Sequence, residues 1–594
     1  MNSPRSRIWS RFLRPATVAL LACASLIGQA YAAANTWTGS AFTGNFGDAG
    51  NWAAALTGGD TLTFPIRPLA SGATVSNLTN NSAISTFAGI TFSAGAGNYT
   101  INTTGSTSFG TISGASATAT ARGGDYTFHS AYGGSGTTTL TLAFSAANYN
   151  IGDGNILVLH PSGGTTSTFG NAGNNKIVLT GAQAGFLRSR DFFDTDTTAD
   201  FAFNDAGGFI RAPVYGSGTG DGGTTDVGFI NDSTGAALTS TSHYLVTTSI
   251  SNQGNLFTDY GVATPVLNGA TTIKFSGAGA VDVTQLAGTT LQLGTGAGNL
   301  GGGILRDGGG STTISGGTLQ FGSGLLWYIR TVSPADTLII NSAMGPTNSP
   351  TSVNNFVKNG AGTVVIGSTD SLTGPTWVNE GTLLVNGTHA TGNTYTINNG
   401  ATLGGIGAIA LAAQVNAPAT VQVNGTLAPG DSLAAQAGQT GVLDITGILT
   451  LNTGADVAIQ IGGNTPGDGV GHYDQVNVLS GAINLSSGVS LSLSLVNGFS
   501  PSDTDKFFIL TRKDNTSFTN TFLNTDDGGS VDLGNGFQGT ISYFGDVTAG
   551  TVVNGKDVVI YNVVPEPDSF ALAAFGLLGT MILLRKRSRR FGAE

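Results

Sequence analysis

Residues 356–387 read FVKNGAGTVVIGSTDSLTGPTWVNEGTLLVNG. Two short runs within them, Thr363-Val364-Val365-Ile366 and Thr382-Leu383-Leu384-Val385, stand 19 residues apart, and each follows a glycine. β-Branched and aliphatic residues of this kind favour a pleated strand, which turns successive side chains to opposite faces. Glycine and asparagine at the corners, as in Asn379-Glu380-Gly381 and Asn398-Asn399-Gly400, are expected to supply positive φ. The Thr-Leu or Thr-Val pair recurs outside the quoted stretch, at Thr318-Leu319, Thr337-Leu338, Thr402-Leu403 and Thr426-Leu427, with a looser match at Leu449. The steps between the apolar residues are 19, 26, 19, 20, 24 and 22.

A unit of about 20 residues cannot bury its own apolar face, but a stack of such units can. The pattern therefore predicts an all-β chain whose body is a right-handed parallel β-helix, with uneven steps absorbed in loops. A smaller C-terminal β module follows. A string of antiparallel sandwiches, which also uses short strands at close spacing, is the alternative.

Composition agrees with strands and turns. The 594 residues include 92 glycines, and only 10% are charged. Mean hydropathy is +0.14, so the low charge comes with enough apolar surface for a core. The single cysteine, Cys23, lies in the leader, which leaves no thiol or disulfide in the body. Without residues 1–32 and 565–594, Lys+Arg falls from 23 to 14 and Asp+Glu from 34 to 31, taking the net charge from −11 to −17. So acidic a body repels phosphate backbones, and nucleic acid is not an expected partner.

The two ends carry the remaining basic residues. Arg5, Arg7, Arg11 and Arg14 precede the apolar run ATVALLACASLIG (16–28), and Ala30-Tyr31-Ala32 follows it. That is the order of a secretory signal peptide, with cleavage set by Ala30 and Ala32. At the other end stand Pro565-Glu566-Pro567, the apolar run 569–584, and a basic cluster of Arg585, Lys586, Arg587, Arg589 and Arg590. Sixteen residues make about 24 Å of helix, slightly short for a bilayer. The basic cluster keeps its own end cytoplasmic.

This arrangement resembles the PEP-CTERM sorting signal of Gram-negative bacteria. The resemblance implies an exosortase-type membrane protease as processing partner, transient inner-membrane anchoring by the C-terminal transmembrane helix, and delivery to the cell surface, outer membrane or extracellular matrix. Residues 356–387 resemble an autotransporter-associated β-strand repeat through KNGAGT (358–363), LTGPT (372–376) and EGTL (380–383). NTWTGSAFTGNFGDAGNW (35–52) and GDTLTF (59–64) are similar to the opening of large surface proteins with such repeats. Residues 427–451, 473–478 and 495–510 are similar to their closing segment. True autotransporters end in a membrane β-barrel, whereas this tail implies sorting.

The expected organisation is a signal peptide (1–32), an N-terminal β cap region (33–100), a β-solenoid body (101–350), the repeat region (351–465), a C-terminal β module (466–562) and the sorting signal (563–594). The expected function is that of an exported structural or adhesive protein without catalysis, with exopolysaccharide or other matrix components as partners. The alternative is a β-helix that binds or degrades polysaccharide.

Motifs for other chemistry are weak. Gly296-Ala297-Gly298-Asn299-Leu300-Gly301 fits a dinucleotide fingerprint, but GGGILRDGGG after it cannot open a helix. His129, His160, His243, His389 and His472 have no metal-ligand spacing, and no metal or cofactor is expected. Asp191, Asp194, Asp196 and Asp200 cluster beside Arg188, Arg190 and Arg211. On one strand, Asp194 and Asp196 would share a face and could bind Ca²⁺ or act as acid and base, though a solvated loop explains them as well. Trp37, Trp52, Trp327 and Trp377 could stack on sugar rings or fill the core.

Overall fold

The computed structural model describes residues 34–566, apart from 66–76, 94–95, 115–123, 144–150, 152–153, 217–224, 227–228, 232–242, 250–265, 269–271, 294–301, 322–325, 347–353, 413–418, 432–438 and the single positions 183, 248, 286, 289, 393, 515 and 524. The described chain is all β, with one 3₁₀ turn at Ala49–Asn51 and no α-helix. Most of its strands pair in parallel, as a stack of coils requires.

Two solenoid lobes make up the molecule. In the N-terminal lobe the chain alternates between two six-stranded sheets. One runs from Ala34–Thr36 through Thr61–Phe64, Thr86–Phe92, Thr107–Gly114 and Thr138–Ala143 to Asn175–Thr180. The other stacks Asn77–Asn80, Tyr99–Thr104, Asp125–Ala131, Ile156–Ser162 and Asp191–Asp194, and ends on the antiparallel strand Ala199–Phe201. Leu78, Ile101, Phe128, Leu159 and Phe193 stand one above the next in register. All five are buried in a core dominated by aromatic rings, from Trp37 and Phe46 to Phe128.

The C-terminal lobe has three faces. One is an eleven-stranded sheet from Phe229–Asn231 to Ile483–Leu485. The second carries Thr337–Ile340, Thr363–Ile366, Gly381–Val385, Ala401–Gly405 and Thr426–Pro429, in which Thr337, Thr363, Thr382, Thr402 and Thr426 are direct partners. The third begins as four strands ending at Ala343–Pro346. It continues through the bridges Met344–Asp370 and Thr369–Thr388 into the sheet that starts at Thr388–Thr391. Two of the sequence matches lie on other faces. Thr318 pairs with Thr290 and Ala343 on the third face, and Leu449 pairs with Val421 and Ile483 on the first. Each of the three faces of a coil carries a Thr-apolar strand, so a spacing of 19 also arises within one coil.

The corners also differ from expectation. Asn379, Asn398 and Asn424 are buried, and none has positive φ. Asn398 instead donates its amide to Asn379 Oδ1 (3.1 Å), and Asn452 donates to Asn424 Oδ1 (2.9 Å), tying coil to coil. At these corners Gly381 and Gly400 take the left-handed positions. Gly381 has φ 67°, and a Cβ there would lie 2.3 Å from Gly360 O.

The hydrophobic cores divide the chain between residues 212 and 244, inside the stretch 101–350 read above as one body. Composition does not change there, because both lobes are built of the same strand and turn residues. Within 466–562, the strands Gln475–Ser480, Ile483–Leu485 and Ser490–Leu495 continue the solenoid. An antiparallel sheet then caps it, in the order Lys506–Arg512, Asp557–Pro565, Phe537–Gly545, Ser530–Gly534.

The lobes pack side by side. Ile156, Val158, Phe192 and Phe201 of the first form a cluster with Leu305, Tyr328, Val357 and Trp377 of the second. Strands at this seam are buried on both faces. Trp327–Thr331 is buried at all five positions, whereas Thr337–Ile340 on the free face alternates.

Candidate functional site

The seam gathers a group of buried charges from both lobes. The Arg330 guanidinium pairs with Asp194 and donates to Asn359 Oδ1 at 2.5 Å. Lys274 Nζ donates to Asp200 Oδ2 and to Ala199 O, both at 2.7 Å. The Tyr215 hydroxyl donates to the other oxygen of Asp200 at 2.9 Å. Asn379 Nδ2 crosses to Asp125 Oδ1 at 2.9 Å and to Gly154 O at 3.1 Å. Asp125, Asp194, Asp200, Lys274, Arg330, Lys358 and Asn379 are all buried.

Burial shapes the titration of these groups. It pushes Asp125 up to about 7, with the charge of Glu380 acting the same way and the Asn379 hydrogen bond opposing it. It pulls Lys358 down to about 7, against the attraction of Glu380 and Asp125. Asp194 and Asp200 are raised by burial, with Arg330 and Lys274 respectively opposing. Desolvated charges held by partners in this way join two surfaces specifically, and losing one partner strands the other. Among the described residues no group of three His, Cys, Asp or Glu side chains could hold a metal ion.

The Asp194–Asp196 pair is not a shared-face pair. The strand ends at Asp194 and the chain turns back, with Thr195 N–H donating to Thr198 O at 2.7 Å. Asp194 points into the seam, whereas Asp196 is exposed and meets His160 Nε2 at 3.2 Å. Strand alternation does not apply across a hairpin turn. Arg211 sits apart, bidentate to Asp226 (2.6 and 2.7 Å) and bonded to Asp205 (2.7 Å). The four tryptophans Trp37, Trp52, Trp327 and Trp377 are at most 5% exposed, which leaves no face for a sugar.

Sequence reasoning missed one constellation. His389 accepts or donates at both nitrogens, Nδ1 against Asp370 Oδ2 and Nε2 against Thr376 Oγ1 (3.1 Å). A hydroxyl, an imidazole and a carboxylate in that order have the connectivity of an activated nucleophile. Thr376 and His389 are fully buried and Asp370 is 5% exposed, so the trio stands inside the wall of the coil. The only signal in the sequence is that Asp370 and His389 lie 19 residues apart, the length of one coil.

The sorting residues divide between described and undescribed positions. Pro565 ends the last strand, paired with Phe537. Glu566 N–H donates to Gly536 O at 2.7 Å, and its carboxylate accepts from Gln538 Nε2 at 2.7 Å. Ala30, Ala32, Pro567, the apolar run 569–584 and the basic residues Arg585, Lys586, Arg587, Arg589 and Arg590 lie outside the described residues, as does the glycine motif at 296–301. Among the described residues, no helix is long and apolar enough to cross a membrane.

Comparisons with known proteins add to this geometry. No curated protein matches the chain. Among solved structures it is similar to the Hap adhesin of Haemophilus influenzae, at 13% identity and a TM-score of 0.19, over 87% of this chain and 66%, just under two thirds, of that one. The PEP-CTERM protein-sorting motif matches residues 563–589, the stretch that begins in the last strand of the cap. The chain thus carries a PEP-CTERM sorting motif, the mark of an exported protein of the Gram-negative cell envelope that is processed by an exosortase-type membrane protein.

Proposed function

We propose that residues 33–564 form a structural or adhesive body, displayed outside the cell after a signal peptidase cuts behind Ala32 and the sorting protease removes the tail. One observation carries this reading: the sorting motif at 563–589 is fused without a spacer to the cap of a β-solenoid. The body's role is non-catalytic. The clustered carboxylates Asp194 and Asp200 are used inside the seam, and the His389 trio is closed to substrate. The apolar run 569–584 anchors the chain in the inner membrane until processing, with the basic cluster on the cytoplasmic side.

The test is the intact mass of protein recovered from the cell exterior. Loss of residues 569–594 is expected. Replacing Arg585, Lys586, Arg587, Arg589 and Arg590 with neutral residues should make unprocessed chain accumulate. Exported protein that still carries Arg585–Glu594 would overturn the reading.

A further inference from the structure

At the C-terminal end, residues 518–523 fold over the last coil and leave a cavity of about 450 Å³ between themselves, Asp527, Ser487-Gly488 and the end of strand Phe537–Gly545. That volume falls in the range of small-molecule sites. The walls are fixed in place. Tyr543 is the strap: its hydroxyl accepts Phe522 N–H and donates to Thr525 O, both at 2.9 Å, and its own N–H donates to Asp527 Oδ1 at 3.0 Å. Burial pushes that hydroxyl up to about 12, so the strap stays a neutral donor. On the other side Asn520 Nδ2 donates to Leu485 O (2.9 Å) and Leu523 N–H to Val489 O (2.7 Å).

The chemistry of the lining is mixed. Phe544 is 48% exposed and Leu523 is 52% exposed, in a molecule whose other large apolar side chains are mostly buried. Phe518 stands edge-on to Tyr543 at 5.8 Å, and the Arg512 guanidinium backs its ring at 4.2 Å. Thr519, Asn520, Thr521 and Asp527 line the same cavity. Among the described residues, no Lys or Arg lines the cavity. Arg512 is turned away, donating to Ile483 O and Thr516 O and pairing with Asp514.

A lining that combines partly exposed aromatic and aliphatic residues with hydroxyl, amide and carboxylate residues suits a ligand with one apolar face and a hydroxylated edge. A pyranose ring has that shape. The lack of a lining cation, on a body of net charge −17, selects against uronate or phosphate groups. We propose that this cavity binds a neutral pyranose unit of a polysaccharide, with the ring on Phe544 and its hydroxyls on Asp527 and Asn520. The proposal rests on the reading that the body is displayed outside the cell, where such polymers are met.

The full-length chain is titrated by calorimetry with cellotetraose, laminaritetraose and mannotetraose, and with tetragalacturonate as the anionic counterpart. At least one neutral tetramer should bind at a single site. Phe544→Ala should weaken it about tenfold, the loss of one stacking contact. Asp527→Asn keeps the Tyr543 bond and should weaken binding less. Phe42→Ala removes an exposed ring remote in sequence and should change nothing. Phe544 is half exposed, so its variant should keep the parent's melting temperature, which separates lost binding from lost fold. Failure of all three neutral tetramers, unchanged affinity in Phe544→Ala, or equally tight binding of tetragalacturonate would overturn the proposal. Export is scored separately, by the mass of Phe544→Ala chain outside the cell. Normal processing without sugar binding sinks only the cavity, and sugar binding by a chain that is never exported sinks only the sorting reading.

Discussion

The two lobes solve one packing problem with different side chains. In the N-terminal lobe two six-stranded sheets face each other among the described residues, joined at the end by a short third sheet of Gly185–Phe186, Phe203–Asn204 and Ile210–Arg211, and wide rings span the gap. Phe92 stacks on Tyr126 at 3.7 Å and 5°, and Phe109 meets Phe128 edge-on at 6.0 Å and 61°. In the C-terminal lobe three walls converge, and aliphatic ladders such as Leu338, Val364, Leu383, Leu403, Leu427 and Val457 suffice. Packed sheets lie about 10 Å apart, a distance that large side chains must fill from both faces. A triangular coil brings its walls closer near each corner, so shorter side chains meet. The shape of the coil cross-section, rather than the strand composition, decides which residues form the core.

The largest expected effects test whether the lobes are separate units. Phe92→Ala should cost the N-terminal lobe about 3–5 kcal/mol, and Leu383→Ala should cost the C-terminal lobe about 2–5 kcal/mol. Each loss should stay in its own lobe, because coils contact only their neighbours. Hydrogen exchange of peptides covering 99–131 and 363–427 reads this directly. Loss of protection in both regions from either substitution would make the molecule one cooperative unit and dissolve the comparison.

A smaller effect concerns the seam. Asp125 titrates at about 7 in the folded protein against an ordinary 3.8, so the folded chain binds more protons than the unfolded one between those values. Stability therefore falls as pH rises from about 4 to 7. Lys358 titrates at about 7 against an ordinary 10.5, so the folded chain binds fewer protons above neutrality, and stability rises from about pH 7 to 10. The melting temperature should pass through a minimum near neutral pH. Asp474, pushed up to about 8 by burial, adds to the falling limb, so variants must isolate the seam. Asp125→Asn should flatten the acid limb and Lys358→Met the alkaline limb. A profile that neither variant alters would remove both groups from the account of the seam.

The smallest effect separates two neighbours in sequence. Asp196→Ala removes an exposed partner of His160 and should change stability by less than about 0.5 kcal/mol. Asp194→Ala leaves Arg330 buried without its carboxylate and should cost far more. Equal costs in thermal melts would show that the seam does not distinguish the two.

How much of this was legible follows from the same contrast. The register of Thr337, Thr363, Thr382, Thr402 and Thr426 could be read because three-walled coils in that region are short and nearly even. In the N-terminal lobe the equivalent positions Leu78, Ile101, Phe128, Leu159 and Phe193 lie 23, 27, 31 and 34 residues apart and change residue type, so no period emerges. The seam was hidden because its signal is a loss of alternation in Trp327–Thr331 and Phe356–Asn359, which reads as ordinary strand. The Asp194–Asp196 pair could be read as strand or as loop, because a hairpin turn at 195–198 has the composition of a strand rich in threonine. The cavity at Phe544 depends on a fold-back of 518–527 that no local pattern announces.

The place of the final strand has a mechanical consequence. Asp557–Pro565 lies between Lys506–Arg512 and Phe537–Gly545, antiparallel to both. A pull applied at Glu566, where any surface attachment through the sorting motif would act, runs along this strand. The load then falls on both flanking ladders at once, as shear. An edge strand pulled sideways would instead give way one bond at a time. Force on a tether at this end would thereby be passed into the stacked coils rather than peel the chain away from its last strand.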